Sequence, residues 1–148
     1  MRTAAVLLIV LMGALTSSVW GQETRRYIEP RSVADATALP FSGAVLVRNT
    51  LYLSGSIGLD EDGQVPADVE EEARNVLDNI RSTLVSAGMS MDDLVSVQVF
   101  CSDVAHYDAF NRVYRTYFTG EFPARAFLGS GTLLFGARFE VQGVAMRR

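Results

Sequence analysis

The sequence contains no lysine, one cysteine and one histidine, and each shortage excludes a kind of chemistry. A mechanism through a lysine Schiff base is impossible without lysine. One cysteine excludes a disulfide framework and a multi-cysteine zinc site, and one histidine excludes metal sites that need two histidine ligands. Positive charge is also scarce, because the formal net charge is −4 at pH 7. That balance argues against a nucleic-acid-binding surface.

What the chain does have is enough apolar sequence for one folded domain. Of its 148 residues, 49% are hydrophobic and 20% are charged. This composition is typical of a globular protein and excludes a mostly disordered one. The length fits a single hydrophobic core better than two.

The N-terminus has the three-part pattern of a secretory signal peptide. A short basic start is followed by an apolar run at 4–15 and by small and polar residues up to Gly21. We expect residues 1–21 to be removed by cleavage before Gln22, and the protein to be secreted or periplasmic. Two alternatives stay open. One is a retained membrane anchor, although the apolar run is shorter than the roughly 20 residues that span a bilayer. The other is a mis-assigned start codon, which would make the protein cytoplasmic.

The remaining sequence divides into a polar segment and a patterned one. Residues 22–39 have no regular pattern, and we interpret them as an N-terminal arm before a domain at 40–148. Within that domain, the apolar runs 44–47 and 51–53 are separated by a short polar stretch. This spacing predicts a β-hairpin with Asn49 in its turn.

The next segment has the spacing of an amphipathic helix. Apolar residues recur every three or four positions, at Val69, Ala73, Val76, Leu77, Ile80 and Leu84. Asp68 is a suitable N-cap and forms a potential capping box with Glu71. Gly88 is a typical residue at the C-terminal end of a helix. We therefore predict a helix that begins after Asp68 and ends at Gly88.

The second half of the chain alternates strands and a further helix. A period of two predicts a strand at 95–101, with its three valines and Cys101 on one face. A second helix is expected at about 105–118, followed by strands at 123–128 and 139–146. The predicted order is β-β-α-β-α-β-β. This order favours a single α+β domain with two helices packed on one face of a mixed sheet.

Arg125 stands out among the residues of the predicted strands. It lies in the apolar segment FPARAF at 122–127, where an unpaired buried guanidinium would be costly. One interpretation is a structural salt bridge to Glu140 or another acid. The other is a planar fork that binds a ligand carboxylate through two hydrogen bonds. The sheet face that carries Gln98 and Gln142 is only half polar, which is typical of a solvated face or an oligomer contact.

Four short segments, in order and spacing, resemble the RidA family, also called YjgF. They are PADV at 66–69, LDN at 77–79, FNRVY at 110–114 and PAR at 123–125. The resemblance extends over about 40–148. It implies a chorismate-mutase-like α+β fold and a homotrimer whose sheets meet in a central barrel, with three clefts between neighbouring subunits. Such an assembly would account for the half-polar sheet face.

The resemblance also implies an activity, the hydrolysis of 2-imino acids or their enamines to 2-oxo acids and ammonia. A protonated imine carbon is already electrophilic, so the protein has to hold the carboxylate, position a water and move protons. No metal or organic cofactor is needed. The family's carboxylate-binding arginine corresponds to Arg125 and its helix-borne asparagine to Asn111. Its Ser-Gly turn beside the ligand corresponds to Ser54 and Gly55.

Three positions of the implied substrate site depart from the family's pattern. The aromatic hydroxyl falls on Phe41, and a residue that is often cysteine in the deaminases falls on Phe127. The carboxylate that orders the attacking water falls on Gln142, whose amide cannot take a proton. Glu140 lies on the same strand face but aligns with a different family position, so we do not count it as a replacement.

These departures leave two functions to compare. Loss of a general base typically lowers a rate about 10²–10⁴-fold. One expectation is therefore an imine deaminase with reduced or altered activity. The alternative is a non-catalytic trimer that binds small carboxylates through Arg125. A purely structural or chaperone-like trimer has no specific support in the sequence.

Overall fold

The sheet is built from seven strands, and their pairing decides which distant residues meet. The computed structural model describes residues 24–29 and 34–147. In chain order its strands and α-helices are β1 (Arg25–Ile28), β2 (Ala44–Val47), β3 (Thr50–Leu53), β4 (Ser56–Ile57), α1 (Val69–Ser86), β5 (Leu94–Cys101), α2 (Tyr107–Tyr114), β6 (Ala124–Gly129) and β7 (Phe139–Met146). The strands pair in the order β1-β2-β3-β7-β5-β6, and β4 also pairs with β7. Among these described strands, β5 and β6 are the one pair that runs parallel, so the sheet is mixed as predicted.

The core lies between one face of this sheet and the two helices. The buried apolar side chains of α1 are the predicted stripe, namely Ala73, Val76, Leu77, Ile80 and Leu84. The buried side chains of α2 are Phe110, Val113 and Tyr114. They pack with inward-facing residues of β5 and β7, among them Val97, Val99, Phe139 and Val141. The predicted α+β architecture is confirmed.

Local signals set both ends of α1. The Asp68 side chain accepts a hydrogen bond from the backbone N–H of Glu70 at 3.0 Å. The expected capping box with Glu71 is not formed, because the Asp68 side chain accepts from the N–H of Glu70 and not from that of Glu71. At the other end Ala87 is the C-cap, and Gly88 has a φ of 75°, a left-handed conformation that glycine adopts without a Cβ penalty. The predicted start and end of the helix are therefore correct.

One strand lies inside the segment interpreted as an arm. Arg25–Ile28 pairs antiparallel with β2, and Ile28 is its only buried residue. The prediction of an irregular arm over 22–39 was wrong for these four residues, because an edge strand with one buried side chain has no apolar alternation. The proposed signal peptide at 1–21 and its cleavage site lie outside the described residues.

Two further details differ from the sequence-based expectation. The pairing of β5 with β7 shifts between Leu94 and Ser96, which turns Leu94 into the core and leaves Val95 42% exposed. Val95 is therefore not on the inward face. The second helix is α-helical only over Tyr107–Tyr114, with single 3₁₀ turns on either side of it. Across residues 24–29 and 34–147, no helix has both the length and the apolar character needed to cross a bilayer.

Candidate functional site

Arg125 lies on the edge strand β6, on the sheet face that α2 covers. Its Nη2 donates a hydrogen bond to Oδ1 of Asn111 at 2.6 Å. The guanidinium carbon lies 4.6 Å from the centroid of the Tyr114 ring. Three further ring centroids lie 5.9 Å away, those of Tyr107, Phe110 and Phe127. The salt bridge to Glu140 is not formed, and Arg125 makes no ion pair within the described part of the chain.

The surrounding rings fix the guanidinium and leave most of its donors available. A guanidinium has five N–H donors, and Asn111 takes one of them in this protomer. Rings under the cation stabilise it through cation–π attraction without using a donor. Burial raises the pKa of Tyr114 to about 12, against the opposing effect of Arg125, so this ring stays neutral. The arrangement is suited to binding a carboxylate with the remaining edge of the fork.

A second group of the predicted residues lines a cavity of about 900 Å³. Its polar wall includes Ser54, Gly55 and Gln142, and Phe41 lies on its apolar side. The hydroxyl of Ser54 donates to the carbonyl of Ser42 at 2.7 Å, which fixes the turn between β3 and β4. The chain bends at this point, since β3 and β4 pair with different parts of β7.

Glu140 belongs to the same cavity, although sequence reasoning set it aside. A Cβ at Gly55 would overlap the present position of the Glu140 carboxylate, so glycine lets this side chain lie directly against the backbone of the turn. Glu140 lines the cavity together with Ser54 and Gln142. Gln142 is engaged elsewhere, because its Nε2 donates to Oε1 of Gln98 at 2.6 Å. The family pattern leads one to expect a carboxylate at position 142, where this chain has an amide. The cavity nevertheless contains a carboxylate, that of Glu140.

The signal for Glu140 was present but incomplete. Strand alternation correctly placed Glu140 and Gln142 on one face. Which of the two lies at the Ser54–Gly55 turn depends on β4, where Ile57 pairs with Glu140. A strand of two residues has no recognisable sequence pattern, so this register could be found only in the structure.

The two groups do not meet within one chain. Arg125 pairs with Val97 on the helix-covered face of the sheet. Glu140 lies on β7, which is separated from β6 by β5. It pairs with Phe100 of β5 and projects from the opposite face of the sheet. Each chain thus carries the two groups on opposite sheet faces, the Arg125 group on one face and the Glu140 cavity on the other. Nowhere in residues 24–29 and 34–147 do three or more His, Cys, Asp or Glu side chains cluster to hold a metal ion.

The structure is that of an α+β protein with an arginine surrounded by aromatic rings and a separate cavity lined in part by a carboxylate. The sequence profile of the family described as Endoribonuclease L-PSP matches residues 32–147. The chain belongs to this family, which is the RidA (YjgF) family that its motifs resemble.

Individual relatives agree with this assignment. The 2-iminobutanoate/2-iminopropanoate deaminase of Capra hircus is 40% identical over 124 residues, which cover 82% of this chain and 90% of the goat protein. The crystal structure of the YjgF gene product from E. coli has a TM-score of 0.70 at 33% identity, covering 74% of this chain and 89% of that one. E. coli TdcF, solved with bound serine, has a TM-score of 0.71 at 28% identity, covering 75% and 91% of the two chains.

Proposed function

We propose that this protein is an imine deaminase that hydrolyses 2-imino acids, or their enamines, to 2-oxo acids and ammonia. The observation that carries the proposal is the Glu140 carboxylate beside the Ser54–Gly55 turn, in a cavity of suitable size for a small ligand. The 40% identity to a protein named 2-iminobutanoate/2-iminopropanoate deaminase supports the same reaction.

The chemistry needs three things from the protein. Arg125 binds the substrate carboxylate through the donors that Asn111 leaves available. Glu140 accepts a proton from a water as the water oxygen bonds to the imine carbon, which forms a carbinolamine. Glu140 then passes this proton to the amine nitrogen. As the carbon–nitrogen bond breaks, the carbinolamine hydroxyl gives its own proton back to the Glu140 carboxylate, and ammonia leaves a 2-oxo acid. No metal or organic cofactor takes part in these steps.

Two half-sites on opposite faces of one chain become a whole site only between two copies. We infer a homotrimer of the chorismate-mutase-like type, in which the β6 edge of one copy faces the Glu140 cavity of the next. A head-to-tail contact of this kind closes into a ring. The uncovered sheet face supports this assembly, because it leaves large apolar side chains partly in solvent, namely Tyr52, Val95 and Leu128.

The second candidate function is a trimer that binds small carboxylates without turnover. It is favoured by Phe41 and Phe127, which have no acid–base group where the family pattern has a hydroxyl or, often, a thiol. Phe127 packs edge-on against Phe110 and Tyr107, so it serves the aromatic setting of Arg125. Glu140 supports the hydrolase over the binding protein, because binding an anion alone would not benefit from a carboxylate in the same cavity.

A semicarbazide-trapping assay with 2-iminopropanoate tests the proposal. The parent protein is expected to hydrolyse the imine, and Glu140→Gln to lower kcat about 10²–10⁴-fold while pyruvate binding is kept. Glu61→Gln, in an exposed turn, is the matched control and should be unchanged. Pyruvate binding by the parent without any imine hydrolysis would favour the binding protein. Full activity of Glu140→Gln would show that another group handles the proton.

The location of the protein is a separate proposal. We propose that it is exported, on the grounds of the basic start and the apolar run at 4–15. Small residues before Gln22 supply a cleavage site. The structure describes neither segment, so the proposal depends on the sequence pattern alone.

A further inference from the structure

Two adjacent apolar side chains stand at the mouth of the Glu140 cavity. Leu134 is 70% exposed and Phe135 is 75% exposed. Both line the cavity of about 900 Å³ whose polar wall contains Ser54, Gly55 and Glu140. Single exposed hydrophobic residues are ordinary on protein surfaces. A contiguous apolar patch next to polar groups that converge on one cavity is typical of a ligand site.

The backbone holds Phe135 outward in an unfavourable conformation. Its φ is 57° and its ψ is 12°, in the left-handed region that bulky residues rarely occupy. The neighbouring Gly136 has a φ of 76°, so the tight turn already contains a glycine. The N–H of Ala137 donates to the Leu134 carbonyl at 3.0 Å and helps to close the turn. A strained aromatic residue on a fixed turn points to a role for its ring.

A second segment that lines the cavity also exposes apolar side chains. Leu39 is 54% exposed and Phe41 is 49% exposed, and both line the same cavity. Phe41 is the position where the family pattern has an aromatic hydroxyl, and here it has an apolar ring. Exposed apolar side chains from two separate segments, at 39–41 and 134–135, therefore line the same cavity as Glu140.

We propose that this cavity selects 2-imino acids with a large apolar side chain, branched aliphatic or aromatic. The proposal rests on the proposed imine hydrolysis and names the substrate class of that same site. Glu140 and the Ser54–Gly55 turn hold the imine end, and Leu134 and Phe135 contact the side chain. A three-carbon imino acid ends in a methyl group, which offers Leu134 and Phe135 much less apolar surface to bury than an isobutyl or benzyl group does.

The expected selectivity follows from apolar burial. One methylene in a hydrophobic pocket changes kcat/KM by about 10-fold or more. The imines of leucine and phenylalanine, made in the assay by an amino-acid oxidase, should be hydrolysed with kcat/KM at least about 10-fold above that of 2-iminopropanoate. Semicarbazide trapping measures all three with one readout.

Two variants and one control test the assignment to Leu134 and Phe135. Phe135→Asn removes the ring and keeps a residue that tolerates the left-handed conformation. Phe135→Asn and Leu134→Ala should each lower kcat/KM for the large imines about 10-fold relative to kcat/KM for 2-iminopropanoate. Val85→Ala is the control, since Val85 is 64% exposed on α1 and does not line the cavity.

The outcomes separate this proposal from the proposed function. Equal or faster hydrolysis of 2-iminopropanoate would overturn the selectivity and leave the deaminase activity standing. If no imine were hydrolysed, the proposed function would fail, and calorimetry would test the selectivity on its own. Tighter binding of 4-methyl-2-oxopentanoate than of pyruvate would then support it, and equal binding would overturn it. A smaller oligomer in Phe135→Asn would also overturn it, because the turn would be a subunit contact.

Discussion

Glu72 and Arg138 form an ion pair between α1 and the residue that precedes β7. Nη1 of Arg138 lies 2.7 Å from Oε2 of Glu72, whose side chain is fully buried. The other oxygen of Glu72 accepts the backbone N–H groups of Arg138 at 2.6 Å and of Phe139 at 3.1 Å. Arg138 also donates to the carbonyl of Pro66 at 2.8 Å. The pair thereby fixes Arg138, which lies two residues before Glu140, and with it the start of β7.

Removal of the Glu72 carboxylate should destabilise the fold strongly. We expect Glu72→Ala to lower the free energy of unfolding by about 3–5 kcal/mol, because it leaves a largely buried guanidinium and two backbone donors without a partner. Glu71→Ala changes an exposed acid in the same first turn and should cost less than about 1 kcal/mol. Urea unfolding of both variants measures the difference. Equal unfolding midpoints would contradict the structural role of the pair.

Arg125 should control the affinity for small 2-oxo acids, whichever of the two candidate functions is correct. Arg125→Ala removes a charge-assisted pair worth about 1.5–3 kcal/mol per hydrogen bond. Arg125→Lys should also bind weakly, because an ammonium cannot reproduce the planar fork. Pyruvate titration by calorimetry provides the measurement, with Arg81→Lys in the surface ion pair to Asp78 as control. Binding to Arg125→Ala as tight as to the parent would refute the carboxylate site.

Gln142→Glu tests whether the carboxylate that activates the water belongs at position 140 or at position 142. If position 142 ordered the water, the new carboxylate should raise imine hydrolysis about 10-fold or more. Because Glu140 already lies in the cavity, we expect no such rise and weaker binding of 2-oxo acids, since a second negative charge repels the ligand anion. Gln64→Glu, at an exposed position outside the cavity, controls for the added charge. A 10-fold faster Gln142→Glu would return the catalytic role to position 142.

A site shared between copies predicts complementation. Arg125→Ala and Glu140→Gln should each be nearly inactive alone. Mixed oligomers formed by refolding the two together should recover activity at about a quarter of the sites, where each copy supplies its intact half. Light scattering should give a mass three times that of one chain. A monomer at every concentration, or mixtures without recovered activity, would exclude the shared site.

Export predicts a defined N-terminus. We expect the mature protein, purified from its native source, to begin at Gln22, and intact-mass spectrometry measures this directly. A protein that retains Met1, or one that stays inside the cell, would contradict the signal-peptide interpretation. If the signal-peptide interpretation is wrong, replacement of two residues of the apolar run by arginine should leave the location of the protein unchanged.

The fold was predictable wherever side-chain pattern and local signals agree. β7 has the predicted bounds, Phe139–Met146, because its alternation is long and uninterrupted. α1 begins and ends as predicted because a cap residue and a glycine mark its ends. β1 was not predicted, because it is held by backbone pairing with β2 and has no apolar pattern of its own. Val95 was assigned to the wrong face, because an alternating sequence gives no sign of a β-bulge.

The site was predictable in its members but not in their grouping. Arg125 and Asn111, which the resemblance assigns to the substrate site, are hydrogen-bonded to each other. The cavity does collect Phe41, Ser54, Gly55 and Gln142. What the sequence could not supply is the partition of these residues between two sheet faces, which depends on strand order. The choice of Glu140 over Gln142 likewise depends on a two-residue strand.

Side chains from the first and the last part of the described fold donate hydrogen bonds to the same backbone oxygen. Arg26 of β1 and Arg147, directly after β7, each donate from Nη2 to the carbonyl of Ala87 at 2.8 Å. The two guanidinium groups satisfy the last turn of α1, where carbonyls lack helical partners. The first strand and the residue after the last strand of the described fold therefore both lie near the end of α1. A short peptide could join them, and new termini could be opened at the exposed turn 60–63 without cutting a strand or a helix.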